Sequence, residues 1–355
     1  MSKIDWLIIR RLGSRIAMVV VLFYGLIALV ESLDAWRFNY LSSVGGVQLA
    51  LTAIVASAAR WTIKTLSVTV LLGAIIGILD LQVRRELTAI KAAGISIWRI
   101  MMGPTIAVII ASLFISFVAE NVVTQVNRGV FPSPLFNNGG LNSGELWLEQ
   151  GPVGERYVLM AKAVVTGNGT LGDVVVFFRD TPKGTRITAP AATLDNGAWH
   201  FAEATRWSAD EPEKFLFNYS LPTTTTLADL KLKYSSTEDF TLLELGAALA
   251  GNLSDPGLRA AVMTRYARLI TLPLLLVGSL LIAFAFTAGY RRTNKYGTTV
   301  LYGVVLGFVV FVITEMADRA GASGVLDPAF AAWGPAFIAI VIGVTVLLRK
   351  EDGRA

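Results

Sequence analysis

The chain has 355 residues, of which 54% are hydrophobic and 16% charged, and its mean hydropathy is +0.59. Soluble domains carry about 25% charged residues, so composition alone points to a membrane. With no cysteine and a single histidine, His200, the chain has no means for disulfides, Cys/His metal centres or histidine-based catalysis.

The net charge of +5 is small. Its basic residues flank apolar runs instead of forming a patch interleaved with aromatics, so no nucleic-acid partner is expected. In chain order, six runs are expected to span a bilayer, for which about 20 residues at ~1.5 Å each are needed. The first is Ile16–Val30 with its outer turn, and the second is Thr65–Leu79, starting near Trp61 and including Lys64. The others are Ile100–Ala119, Leu269–Tyr290, Tyr296–Thr314 and Pro328–Leu348. Val47–Ala59 is too short to cross and is expected at the interface. The N-terminal basic residues lead into an apolar run with no small-residue cleavage site, which does not fit a removable signal peptide.

Orientation follows from Lys and Arg near the helix ends. They concentrate at Lys3, Arg10, Arg11 and Arg15, at Arg84, Arg85, Lys91 and Arg99, at Arg291, Arg292 and Lys295, and at Arg349, Lys350 and Arg354. The opposite side carries Arg37, Arg60 and Arg319. Both termini and the 82–100 loop are therefore expected in the cytoplasm, with residues 129–258 outside.

That outer stretch changes texture. "ELWLEQ", "RYVLMAKAVV", "DVVVFFRD", "TRITAPAATL", "AWHFAEATRW" and "EKFLFNYSLP" alternate apolar and polar residues between turns rich in Gly, Asn, Asp and Pro. Short strands so punctuated predict an all-β sandwich or jellyroll. His200, between Trp199 and Phe201, reads as an ordinary strand residue. A short helix near 238–250 is expected to lead back to the membrane. The fold class is thus six transmembrane helices with a jellyroll-like β domain inserted between the third and fourth. The divisions are 1–128, 129–258 and 259–355.

Chemistry-bearing patterns are few. There is no Gly-x4-Gly-Lys-Ser/Thr, so no P-loop nucleotide site, and no Gly-x-Ser-x-Gly elbow. The segment "QVRRELTAIKAAGISIWRI" (82–100) holds Val83, Leu87, Ile90, Gly94 and Ile97 at helical spacing, opposite Arg84, Arg85, Thr88 and Lys91. A helix over about 83–93 is expected, stopped at Gly94. Glu86 has no basic residue three or four positions away, so its own helix offers it no ion pair. Two readings fit: a carboxylate available to a cation on another chain, or an amphipathic helix on anionic lipid with Glu86 solvated.

Charges close to the spans are functional candidates. Glu31 and Asp34 are expected on one face at the outer end of the first helix, continued by Arg37; Glu120 and Arg128 lie eight apart after the third. Either these five open a polar cavity or they are interfacial and solvated. Glu315, Asp318 and Arg319 are expected to be solvated. Gly73-x3-Gly77 and Gly303-x3-Gly307 read as helix-packing motifs.

Three helices, a β domain, three helices and "RRELTAIKAAGISIWRI" together resemble the lipopolysaccharide-export permeases of the LptF/LptG type, over nearly the whole chain. That family's loop pattern, Ser/Arg-Glu-Leu followed by a hydrophobic residue and a glycine, is matched by Arg85, Glu86, Leu87, Ile90 and Gly94. The stretch "TAGYRRTNKYGTTVLYG" and the short C-terminal tail look more like the G type. The resemblance implies a non-enzymatic permease subunit paired with a homologous one, with a cytosolic ABC ATPase dimer binding ATP and Mg at the loop helices. It implies Glu86 as the carboxylate contacting an arginine-bearing groove of that ATPase. It further implies lipopolysaccharide as cargo, moved from the inner membrane to a single-helix periplasmic jellyroll partner and a periplasmic bridge. Two departures stand out: acidic Glu31 and Asp34 replace lysines common at the outer end of helix one, leaving Arg37, and Thr124 stands where the family has proline after Glu120. The alternatives are a membrane-anchored scaffold or another envelope exporter. Lipoprotein-release permeases, however, place the outer domain after the first of four helices.

Overall fold

The computed structural model describes residues 3–130, 142–150, 156–165, 169–179, 185–208, 212–227, 229–230, 236–251, 253, 255–287 and 296–351. The basic loop at 291–295 and Arg354 lie outside the described residues. The chain forms two compact units: one of residues 1–130, 241–245 and 260–355, the other of residues 131–240 and 246–259.

In the helical unit, α1 (Lys3–Ser32) is followed by α2 (Ala35–Lys64), α3 (Leu66–Val83), the short α4 (Glu86–Ala92) and α5 (Ile97–Phe114). A π-helical turn (Ile115–Ala119) joins α5 to α6 (Glu120–Val130). Further along the chain come α7 (Leu242–Ala250), of which the residues up to Leu245 belong to this unit, α8 (Pro256–Thr287), which belongs to it from Ala260 on, α9 (Tyr296–Ala322) and α10 (Pro328–Glu351). Among the described residues seven segments are long and apolar enough to cross a membrane: Asp5–Ser32, Gly45–Lys64, Leu66–Val83, Ile97–Val130, Pro256–Thr287, Leu301–Ala322 and Pro328–Arg349.

The extra segment corrects the reading of Val47–Ala59 and of the second span. Val47–Ala59 belongs to a 20-residue segment that begins at the Gly45–Gly46 kink, where Gly46 takes φ +77°. The helix ends at Lys64 and restarts at Leu66, so no single helix runs from Trp61 through Lys64 into the next run. The later part of α2 and α3 then descend along α1 in antiparallel order. Tyr24 Oη reaches the Val55 carbonyl, Ile16 lies against Gly73, Leu12 against Gly77 and Arg11 beside Asp80. That order is what one crossing interrupted at Thr65 produces.

Inside a bilayer lipid is as apolar as leucine, so close packing holds helices together. A Cβ at Gly73 would fall 2.5 Å from Ile16 Cα, and one at Gly303 would fall 2.4 Å from Ile75 Cδ1. The two small-residue motifs therefore seat α1 and α9 on α3.

The β unit carries β1 (Asn142–Gln150), β2 (Tyr157–Val165), β3 (Thr170–Phe178), β4 (Arg186–Asp195), β5 (Ala198–Trp207) and β6 (Lys214–Pro222). They form one antiparallel sheet in sequence order. Alternation works as expected: Leu159, Val174, Val176, Ile187, Trp199 and Phe201 point into one core. Non-neighbouring strands also meet. Tyr157 Oη on β2 lies 2.7 Å from the Pro222 carbonyl of β6, and Thr223 bonds to Gln150 of β1. The sheet is therefore rolled over its core, with its two ends brought together, consistent with the jellyroll expectation. His200 pairs with Thr193 and Ser220 in the ladder as an exposed strand residue. The expected helix near 238–250 resolves into a 3₁₀ turn, Thr237–Asp239, and α7.

Candidate functional site

The 82–100 segment differs from its expected form at one end. Val83 still belongs to α3, Arg84 caps it, and Arg85 adopts the left-handed conformation (φ +58°), so α4 begins only at Glu86. An L residue in that region is disfavoured by roughly 1–2 kcal/mol, a cost the surrounding packing must cover. The helix ends at Ala92, and Gly94 at φ +80° turns the chain into α5, which is capped by Ser96 accepting from the Arg99 amide.

The apolar stripe faces the protein's own bundle. Leu87 and Ile97 are buried in the core with Ile8 and Leu12 of α1 and Leu81 of α3; Ile90 packs on that core, and Val83 is exposed. Leu87 is therefore unavailable to lipid, against the reading of α4 as a helix lying on the membrane surface. Glu86 is not free either. Arg11 Nη2 of α1 lies 3.0 Å from its Oε1, while Oε2 is buried without a hydrogen-bond partner. Local spacing rules could not find Arg11, which sits 75 positions earlier on another helix (86 − 11 = 75). Asp80, also missed, gathers Arg11 (3.9 Å), Arg15 (3.4 Å) and Arg84 (3.4 Å) beside it. Its signal was a lone carboxylate at the end of an apolar run.

At the other end of the helical unit the five candidate residues do not form one cluster. Asp34 is not on the face of α1: it caps α2, its Oδ1 accepting from the Arg37 amide. The chain turns between Ser32 and Ala35, which breaks the expected continuous face. Arg37 instead donates to Glu31 Oε2 (3.0 Å) and Ser57 Oγ (3.1 Å), so its charge is balanced inside the chain. Glu120 and Arg128 do not pair with one another. Glu120, 3% exposed, takes Arg265 of α8 at 2.5 Å. Arg128 forms a two-pronged bond with Glu244 of α7, whose amide-side partner is Thr241. Burial pushes Glu244 upward, but the Arg128 guanidinium and the Thr241 amide and hydroxyl outweigh it and hold the carboxyl below its usual range.

Asp318 was expected in solvent and is 8% exposed, paired with Arg268. Glu315 lies 3.9 Å from Arg268 and 3.2 Å from Arg319. An isolated charge in hydrocarbon is expensive, so α8 presents arginines one turn apart to neutralise carboxylates on both sides. Arg265 and Arg268 escaped the sequence reading, although their position at the mouth of the Leu269 run was the available signal. The π turn immediately precedes Glu120, and from it Ser116 Oγ donates to the Leu269 carbonyl. Extra-residue turns of this kind recur at functional places in membrane and soluble helices.

These features define a class: a multi-pass α-helical membrane protein with internally paired charges and an inserted six-stranded β domain. The family model of the lipopolysaccharide export system permease LptF/LptG matches residues 6–349, and the chain belongs to that family. It is accordingly a component of lipopolysaccharide export in the inner membrane, a transporter permease and not an enzyme. The match does not separate the F from the G type. No curated protein matches the chain.

Proposed function

We propose that this chain is one permease subunit, of the G type, in an ABC exporter that extracts lipopolysaccharide from the inner membrane and delivers it to a periplasmic bridge. The family match over residues 6–349 carries the reading. A homologous permease completes the cavity, and a cytosolic ABC ATPase dimer supplies ATP hydrolysis, since the sequence contains no P-loop. Both termini and α4 lie in the cytoplasm, and residues 129–258 form the periplasmic domain.

In this reading α4 is the joint with the motor. Glu86 supplies the charge that an ATPase arginine recognises, Leu87 and Ile90 anchor the helix to the bundle, and Gly94 lets the chain turn back into α5. Arg85, held left-handed, sets where α4 starts. Because Leu87 packs on α1 and α3, a displacement of α4 is transmitted to the helices that would line the cavity. Glu31, Asp34, Arg37, Glu120 and Arg128 remain cavity candidates; Arg37 and Arg128, each already neutralised, serve there as hydrogen-bond donors within fixed pairs more than as free phosphate ligands.

Depletion of the chain in its host tests the transport role. Newly made lipopolysaccharide is expected to accumulate in the inner membrane and to fall in the outer one. Undiminished delivery to the outer membrane through depletion would refute it.

A further inference from the structure

Glu86 is partly shielded from the partner that the proposed function assigns to it. Its side chain is 28% exposed, Oε1 is held by Arg11, and Oε2 is covered by this chain alone. Nothing outside can reach Oε2 while the side chain stays in that seat. For both carboxylate oxygens to meet a cation on another subunit, Glu86 swings out and Arg11 releases it.

Arg11 has somewhere to go. Its other terminal nitrogen, Nη1, is 3.9 Å from Asp80 Oδ2, so one guanidinium stands between two carboxylates on consecutive elements, α3 and α4. We infer that Arg11 is a positioning residue that latches Glu86 inward when no ATPase is docked and moves onto Asp80 when Glu86 turns outward. This inference rests on the docking role of Glu86 proposed above.

The surroundings support a two-position device. Arg85, in the left-handed region immediately before Glu86, makes the start of α4 a point of backbone strain. Leu87 immediately after it is fixed in the core, so the Glu86 side chain can reorient without unseating the helix. The α1 segment bearing Arg11 is itself pinned: Leu12, its neighbour, packs on Gly77. Arg11 can therefore exchange partners by side-chain rotation alone. The exchange carries docking to α1, because the guanidinium that responds belongs to that helix.

The latch competes with docking, which gives two variants opposite effects. Arg11→Gln removes the competitor. Exposed or half-exposed ion pairs contribute about 0.2–1 kcal/mol, so the ATPase is expected to bind about 1.4- to fivefold more tightly. Asp80→Asn removes the second seat and frees Arg11, Arg15 and Arg84 to crowd Glu86, so binding weakens. A residue that only stabilised the fold would shift both variants the same way.

The experiment is binding of the purified ABC ATPase subunit of the same organism's lipopolysaccharide exporter to the full-length chain, co-reconstituted with its paired permease in nanodiscs, for wild type, Arg11→Gln, Asp80→Asn and Glu86→Gln. The expected result is loss of binding for Glu86→Gln, tightening for Arg11→Gln and weakening for Asp80→Asn. Arg11→Lys keeps the charge but not the two-ended reach, and is expected to tighten binding by less; it stands in if Arg11→Gln fails to assemble. Binding unchanged by Glu86→Gln overturns both the docking role and the latch. Binding that depends on Glu86 but is unchanged or weakened by Arg11→Gln, or tightened by Asp80→Asn, overturns the latch alone.

Discussion

Arg265 of α8 and Glu120, the residue that follows the π turn, meet at 2.5 Å with both side chains almost wholly removed from solvent. Removing one partner of such a buried pair costs about 3–5 kcal/mol. Glu120→Ala is expected to lower the thermal stability of the detergent-solubilised protein strongly. The double variant Glu120→Gln, Arg265→Gln should recover much of the loss, because neither charge then remains buried. A single variant as stable as wild type in a thermal-shift assay would show that the pair is not carried inside the bundle.

The α1–α3 seat makes a sharper steric claim. At Gly73 an added methyl would meet the Ile16 backbone, which cannot rotate away, whereas nothing lies within 4 Å of the same atom at Gly25. Gly73→Ala is expected to destabilise by about 1–3 kcal/mol through overpacking, and Gly25→Ala to be near neutral. Equal behaviour of the two in the same unfolding assay would count against the crossing.

Tyr157 ties the two ends of the rolled sheet and its phenol is pushed up to about 12, chiefly by burial. A group whose folded value lies above its unfolded value of 10.0 gives stability that is complete below pH 10 and is lost as pH rises through about 12. The β unit should therefore weaken across that window, and Tyr157→Phe should remove this part of the dependence at a cost of about 1 kcal/mol for the lost hydrogen bond. Ultraviolet titration of tyrosinate alongside circular dichroism reads both.

Glu244 behaves in the opposite sense. Its carboxyl is depressed in the folded state, so the stability it contributes is present above the ordinary carboxylate value and disappears as pH falls through the lowered one. Arg128→Gln should return Glu244 toward its usual range and raise the pH at which proteolysis begins to cut near α7. An acid-dependence unaltered by Arg128→Gln would separate the two residues.

What could be read without coordinates was whatever repeats locally. Strand alternation placed all six strands within a few residues of their observed bounds, because side-chain period two survives folding whatever the partners. Apolar runs found six of the seven segments long and apolar enough to cross, because apolar composition likewise needs no partner; Gly45–Lys64 was missed. Three things depended on distant chain. The break at Thr65 has no proline or glycine to announce it and follows from how α2 and α3 both pack on α1. Arg11, Arg265 and Arg268 pair with carboxylates far away in sequence, which no i±3 or i±4 rule reaches. Asp318, polar and near a helix end, looked solvated until α8 was laid beside it. Glu86 lies between the two kinds: its lack of a partner in α4 was legible, and its partner in α1 was not.

The role of α4 is most directly tested by affinity purification of the full-length chain from its host in mild detergent, comparing wild type with Glu86→Arg. Wild type is expected to bring down the ABC ATPase together with the paired permease, and Glu86→Arg to keep the permease while losing the ATPase. An ATPase that copurifies equally with both, or with neither, would contradict Glu86 as the residue through which this chain meets its motor.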